Sequence, residues 1–196
     1  LSASAELKLV NHPKQVSIPM SQHIGNPCTP MVAVGDYVKK GQKIGDGEGL
    51  CVPVHASVSG TVIAIEPRRH PNGKDVLSVV IENDFKDTMD TTMVAHEDYS
   101  KLSDDEIIDI IREAGIVGMG GATFATNIKA ASSMEKVQTL IANACECEPY
   151  ITADYRSMLE TSEELVSGMS VVLSLFVNAK GIFGVEYTVT LCQEED

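Results

Sequence analysis

Gly115-Ile-Val-Gly118-Met-Gly120-Gly121-Ala-Thr-Phe124 sets four glycines within ten residues, and Lys129 follows five residues after Phe124. Clustered glycines let backbone N–H groups turn inward and approach an anion closely, and a following helix N-terminus adds the positive end of its dipole. Between Arg112 and Lys136 the only cation is Lys129, so a phosphate held here would need it. The same glycines suit a tight connection packed against a sheet, and the spacing alone leaves both readings open. A Rossmann fingerprint fits poorly, because no strand directly precedes the loop.

A second candidate is Asn143-Ala-Cys145-Glu146-Cys147-Glu148-Pro149-Tyr150, which follows the apolar run Val137 to Ala142. In open α/β sheets ligands lie beyond the carboxyl ends of strands, which is where these side chains fall. Asn143 can hydrogen-bond the edge of a heterocycle. Glu146 and Glu148 share one side of an extended backbone, since side chains alternate with period two. Two carboxylates can bind ribose hydroxyls or move protons, and they can equally form a solvated acidic loop. Cys147 has no histidine near it in sequence to act as its base.

The remaining chemistry is bounded by composition. Of 196 residues, 28 are Asp or Glu and 15 Lys or Arg, a net charge of −13 that disfavours nucleic acid. The charge is uneven: residues 1–100 hold 9 basic and 12 acidic groups, a net −3, and residues 101–196 hold 6 and 16, a net −10. Five scattered cysteines (Cys28, Cys51, Cys145, Cys147, Cys192) form no disulfide framework and point to a reducing cytosolic setting. No CxxCxxC run encodes a ferredoxin-type cluster, and Cys145 and Cys147, the one close pair, have no nearby histidine, so no metal ligands are expected. No run approaches the ~20 apolar residues of a membrane span. Leu1-Ser2-Ala3-Ser4 shows no basic region followed by an apolar core, so no secretory signal is expected.

Two grammars position these residues. From residue 14 to 84, β-branched segments (Met31 to Val34, Thr61 to Ile65, Val76 to Ile81) alternate with Gly, Asp and Pro, and read as strands. Arg68-Arg69-His70-Pro71-Asn72-Gly73 is the clearest hairpin turn, with Asn-Gly supplying positive φ values. Residues 85–102 are polar and aperiodic, a linker. Ser103-Asp-Asp-Glu106 is a capping box, followed by Ile107, Ile108, Ile111 and Ala114 on one helical face and Gly115 as a stop. Val137 to Ala142 suits a buried parallel strand. Thr161-Ser-Glu-Glu164 opens a second helix, and Gly181 to Val185 restarts a strand. Helix, strand, helix, strand is the alternation of an α/β layer.

Within the first grammar, Gly35-Asp36-x-Val38-x-x-Gly41-Gln42-x-Ile44 precedes Pro53-Val-His55-Ala-Ser-Val58-Ser-Gly60-Thr-Val62. This spacing resembles the barrel-sandwich hybrid of biotinyl and lipoyl carriers, with Val38, Ile44, Val58 and Val62 filling a narrow core. Residues 45–60 contain no lysine, so no carrier arm can be attached and a structural or docking barrel is expected. His55 is expected to be packed or solvated rather than a ligand. The predicted organisation is a barrel-sandwich hybrid domain over residues 1–84, a linker over 85–102, and a truncated α/β layer over 103–196.

Taken together, SQHIGNP (Ser21 to Pro27), HPNG (His70 to Gly73), GIVGMGGATF and NACECEPYITADYR (Asn143 to Arg156) resemble the N-terminal part of RnfC over roughly residues 14–186. RnfC belongs to the Rnf ion-translocating ferredoxin:NAD oxidoreductase. The second half is also similar to the flavoprotein subunit of respiratory complex I. The resemblance implies that Gly118, Gly120, Gly121 and Phe124 line FMN and that Lys129 faces its phosphate or ribityl chain. It places Asn143, Glu146 and Glu148 beside the flavin and the nicotinamide of NADH. One departure is Phe124-Ala125 where the family usually has Phe-Pro, which removes a fixed φ.

The resemblance further implies transfer of electrons between NAD(H) and iron–sulfur clusters or ferredoxin. The 4Fe-4S clusters belong to a cysteine-rich part of the full-length family, and Tyr187 to Asp196 does not resemble the family's continuation. Half a pocket leaves a ligand wet, so these 196 residues alone are expected neither to bind FMN tightly nor to catalyse. The expected partners are other subunits of a membrane-bound electron transport complex, with self-association through uncovered apolar elements. The expected location is cytoplasmic, peripheral to the membrane through protein partners rather than lipid. The alternatives are a non-catalytic docking module of that complex and a relative of the corrinoid reductase of bacterial microcompartments.

Overall fold

The structure, a computed structural model, describes residues 6, 8, 11–92, 96, 98–119, 123–132, 134, 136–146 and 151–185. The chain divides into two compact units, one holding Val10–Ser132 and the other containing the described residues from 134 to 185.

The first unit is built on two antiparallel sheets. Strands β1 (Gln15–Pro19), β7 (Asp75–Asn83), β6 (Gly60–Arg69) and β3 (Tyr37–Val38) form one sheet in the order β1-β7-β6-β3. Strands β2 (Thr29–Pro30), β4 (Lys43–Asp46) and β5 (Val54–His55) form the other, in the order β2-β4-β5. Val38, Ile44, Val58 and Val62, picked out by spacing, are all buried with Ile18, Met20, Val54, Val79 and Ile81 in one core. Each such side chain contributes about 1.5–3 kcal/mol by leaving water. This arrangement fits the barrel-sandwich hybrid that the glycine and valine spacing resembles. A register shift between Val62 and Ala64 bends β6. Beyond it, Glu66–Arg69 run exposed to the hairpin end.

That hairpin turns where expected but by a longer route. His70 and Lys74 close a five-residue loop, with the His70 N–H donating to the Lys74 carbonyl at 2.8 Å. Positive φ is taken by Gly73 and not by Asn72. The Asn72 side chain instead accepts the Lys74 N–H at 3.0 Å, a local turn that Asn favours. The strand expected over Met31 to Val34 is absent: β2 ends at Pro30, with one further backbone bond from the Met31 N–H to Ile44 at 2.8 Å. Asp36 closes a turn there, its carboxylate accepting the Ala33 N–H at 2.8 Å while its own N–H donates to the Ala33 carbonyl at 3.1 Å. The polar stretch after β7 is tied to the barrel. Ser59 Oγ donates to Asp84 at 2.7 Å and accepts the Thr88 N–H at 3.0 Å.

Helix α1 (Asp104–Glu113) begins with the predicted capping box, both reciprocal bonds between Ser103 and Glu106 being present. Ile107 and Ile111 are its buried stripe. Gly115, at φ +69, ends it: the Gly115 N–H donates to Arg112 and the Ile116 N–H to Ile111, a Schellman arrangement. A Cβ on Gly115 would sit 2.5 Å from the Pro53 carbonyl oxygen and 3.4 Å from the His55 ring, so the helix end abuts the barrel. Arg112 clamps α1 to β4. Its guanidinium meets Asp46 at 2.8 Å, Lys43 reaches Asp46 at 3.1 Å, and Lys43 also pairs with Glu113.

Burial raises the Asp46 carboxyl, but the Gly47 N–H, Arg112 and Lys43 together hold it below the ordinary carboxylate range. A carboxylate depressed in the folded state stabilises above its unfolded value and loses that contribution as pH falls through the folded value. Asp46→Asn is therefore expected to cost about 1–2 kcal/mol at pH 7 and to narrow the stability gap between pH 7 and pH 3. Urea unfolding of both chains at the two pH values checks this; an unchanged gap contradicts it.

In the second unit, β8 (Thr139–Ala144) and β9 (Lys180–Val185) pair in parallel, Thr139 opposite Lys180 through Ala144 opposite Val185. Between them run α3 (Ala153–Glu160) and α4 (Ser162–Leu173). A Cβ on Gly181 would meet Met169 at 3.1 Å and Leu173 at 3.3 Å, which shows α4 lying on β9. Among the described residues no helix is long and apolar enough to cross a membrane.

Candidate functional site

The described part of the glycine loop is a narrow hairpin. Val117 and Ala125 form an antiparallel bridge, the Gly118 N–H donates to the Phe124 carbonyl at 3.0 Å, and the Thr126 N–H donates to Ile116 at 3.1 Å. Gly118 and Phe124 are therefore brought together, but the Gly118 N–H is spent on the stem and does not face an anion. Gly120 and Gly121 lie outside the described residues. Helix α2 (Thr126–Ala131) follows, packed on α1. Lys129 is in its last turn rather than its first, exposed, and without an ion pair among the described residues.

A residue with no sequence signal stands out on the same helix. Asn127 Oδ1 is buried and accepts no hydrogen bond among the described residues. An unpaired buried acceptor costs about 1–3 kcal/mol, so a donor is wanted there. Neither its type nor its spacing marks it, since Asn at the second position of a short helix is unremarkable in sequence.

The second cluster sits at the carboxyl end of β8. Asn143 lies within the strand, which runs two residues further than its apolar run suggests, and its side chain accepts the Cys145 N–H at 3.1 Å. Glu146, just beyond the strand, accepts the Tyr155 N–H at 3.0 Å. Thr152 provides no side-chain cap for α3, so Glu146 fills that role and favours the positive helix end. Glu148 and Cys147 lie outside the described residues.

A third group is invisible in sequence. His23, Cys28 and Cys51 are all buried, and their ligand atoms lie within 4.8 Å of one another. The two sulfurs are 3.3 Å apart. His23 Nε2 accepts the Val52 N–H at 3.3 Å and Nδ1 lies 3.2 Å from the Ile24 carbonyl, which assigns the ring proton to Nδ1. Burial first, then the hydrogen bond to Cys51, push the Cys28 thiol up to about 12. By donor type the trio suits a soft metal ion. Close spacing in sequence draws attention only to Cys145 and Cys147; His23 and Cys28, with Cys51 far along the chain, match no compact motif.

The comparisons with known proteins divide the chain elsewhere than the two compact units do: the second family match begins inside α1, so the glycine loop and α2 fall within it. Residues 1–86 match the family model of the RnfC barrel sandwich hybrid domain, and residues 111–193 match that of the Nuo51 FMN-binding domain. The chain is 45% identical over 187 residues to the C subunit of the Na(+)-translocating ferredoxin:NAD(+) oxidoreductase complex of Acetobacterium woodii, covering 94% of this chain and 42% of that protein. It is 42% identical to the C subunit of the proton-translocating ferredoxin:NAD(+) oxidoreductase complex of Clostridium ljungdahlii, covering 94% and 41%. Identity is also 42% to the C subunit of the ion-translocating oxidoreductase complex of Serratia proteamaculans, covering 94% and 26%. The chain thus spans less than half the length of these relatives.

Proposed function

Because its two halves match the RnfC barrel sandwich hybrid domain and the Nuo51 FMN-binding domain, the chain belongs with the RnfC family, and we propose that it is the part of an electron transport protein that holds FMN beside NAD(H). The observation that carries this is the buried Asn127 Oδ1, which has no hydrogen-bond partner among the described residues and lies on the same short helix as the exposed Lys129, both within the stretch matched to the FMN-binding domain. These residues fit the cofactor. Asn127 offers an acceptor to a ribityl hydroxyl or a ring N–H, and Lys129 offers its ammonium to the phosphate. Phe124 supplies an apolar edge beside the loop.

Bound FMN would supply the exchange between hydride pairs and single electrons that links NAD(H) to iron–sulfur centres and ferredoxin. The chain's own part is binding and orientation. Asn143 and Glu148 would act toward the ribose and nicotinamide of NADH, whereas Glu146 would act through α3, whose first turn it caps. The relatives' names assign them to ion-translocating complexes, so the other members of such a complex are the proposed company of this chain. With a net charge of −13, attachment at a membrane would run through those partners rather than through anionic lipid.

Titration of the purified chain with FMN, followed by flavin fluorescence, tests the reading. Saturable binding is expected, weakened about tenfold in Lys129→Ala, the loss of one charge-assisted contact. Riboflavin, which lacks the phosphate, should bind both chains alike. Absence of FMN binding by the folded chain, or equal FMN affinity in the variant, would overturn it.

A further inference from the structure

We propose that His23, Cys28 and Cys51 form a buried binding site for one zinc ion, closed by the carbonyl oxygen of Val52. Four donor atoms converge from two segments of chain far apart in sequence. The two sulfurs lie 3.3 Å apart, and all three side-chain ligand atoms fall within 4.8 Å of one another. The Val52 oxygen is 3.2 Å from Cys28 Sγ and 3.8 Å from Cys51 Sγ, on the edge shared by both sulfurs. Zinc takes sulfur at about 2.3 Å and imidazole nitrogen at about 2.0–2.1 Å, so tetrahedral ligands stand roughly 3.5–3.8 Å apart. The sulfurs need to open by a few tenths of an ångström to admit the ion.

The histidine is arranged as a ligand rather than as a packed ring. Its Nδ1–H faces the Ile24 carbonyl at 3.2 Å, the backbone contact that fixes tautomer and ring orientation in metal-bound histidines. The Nε2 lone pair is held only by a long 3.3 Å bond from the Val52 N–H, which an ion can displace.

The two segments are locked to each other independently of any ion. The Asn26 N–H donates to Leu50 at 2.9 Å and the Asn26 side chain reaches Glu48 at 3.2 Å, while the Cys28 N–H, donating to Met20 at 2.7 Å, fixes the loop that carries His23. Gly25 is needed for this approach, since a Cβ there would lie 2.1 Å from the Leu50 oxygen. Gly47 leaves room for the sulfur, as its Cβ would stand 3.0 Å from Cys51 Sγ. The neighbouring Arg112–Asp46 pair is already matched in charge. Binding would release one proton from each thiol, so two thiolates and a dication leave the site with no net charge in the core.

The test uses the full chain, reduced and stripped with a chelator, then titrated with Co2+ as a spectroscopic probe and with Zn2+. One equivalent of Co2+ is expected to give thiolate-to-metal charge-transfer and tetrahedral ligand-field absorption, both abolished by one equivalent of Zn2+. Cys28→Ser and His23→Gln are each expected to weaken Zn2+ binding by more than about 100-fold, beyond the loss that outer contacts cause. A Cys145→Ser/Cys147→Ser chain should retain the wild-type stoichiometry and spectrum. A folded, reduced wild-type chain that takes up no equivalent of metal would overturn the proposal. So would wild-type affinity in the Cys28 variant.

Discussion

Gly60→Ala is expected to destabilise the first unit by about 3 kcal/mol or more, enough to consume much of the ~5–15 kcal/mol that holds a domain folded. Gly60 opens β6 and is flanked on both sides, by Val38 of β3 and by Asn83 of β7. A Cβ there would lie 1.9 Å from the Glu82 carbonyl oxygen, 2.9 Å from its carbon and 3.3 Å from Asn83 Cα. All three are backbone atoms in the central hairpin, so relief requires separating β6 from β7. The next residue pair is equally committed: Ser59 and Asp84 are joined through the Asp84 N–H at 3.1 Å and through their side chains at 2.7 Å. Thr61→Ala, one residue along on the exposed face, should cost less than about 1 kcal/mol. Urea unfolding of the two variants separates the cases; similar midpoints would show that the hairpin yields to the methyl group.

That contrast also shows what is legible in the sequence. Valines and isoleucines between glycines at fixed offsets give the resemblance to the sandwich, because a narrow core is filled mainly by branched aliphatic side chains and needs tight turns around them. The capping box and Gly115 bound α1 correctly, since caps are local chemistry. Met31 to Val34 misleads because β-branched composition carries no trace of the Asp36 side chain, which closes a turn on the Ala33 N–H. Asn143 reads as a loop residue because apolarity fades at Ala142, whereas the ladder with β9 continues to Ala144.

Sites made of distant residues are the part that local patterns cannot reach. His23, Cys28 and Cys51 meet only because the loop after β1 is zipped to the segment before β5. Charge isolation picks out Lys129, but its place in the last turn of a short helix removes the helix-dipole argument for it. Glu146 illustrates a competing use: a carboxylate expected to face a ligand instead satisfies an N–H of α3.

The second unit is expected to exchange its amide hydrogens far faster than the barrel. Residues Ser78 to Ile81 of β7 are all buried, with Ile81 and Val79 wholly inaccessible. By contrast no residue of α3 or α4 is buried, and Ile141 and Ile182 on the paired strands are 61% and 48% exposed. Leu175 and Phe176 alone provide buried apolar anchors among the described residues of this unit. Burial at about 25 cal/mol per Å2 is what opposes the entropy of ordering a strand, and here little of it is supplied. Peptides spanning β8 and β9 should therefore exchange within minutes, while Val79–Ile81 should stay protected for hours or longer. Equal protection would mean that the exposed isoleucines are covered, by a second copy of the chain for instance, and light scattering on the same sample would identify that. If NAD(H) acts at Asn143 and Glu148 as proposed, it must order these elements on binding, so added NADH should slow exchange in β8 without changing β7. Such a gain would tie the low intrinsic stability of this unit to its use, because a segment that orders around a ligand is drawn from the weakly held part of the fold.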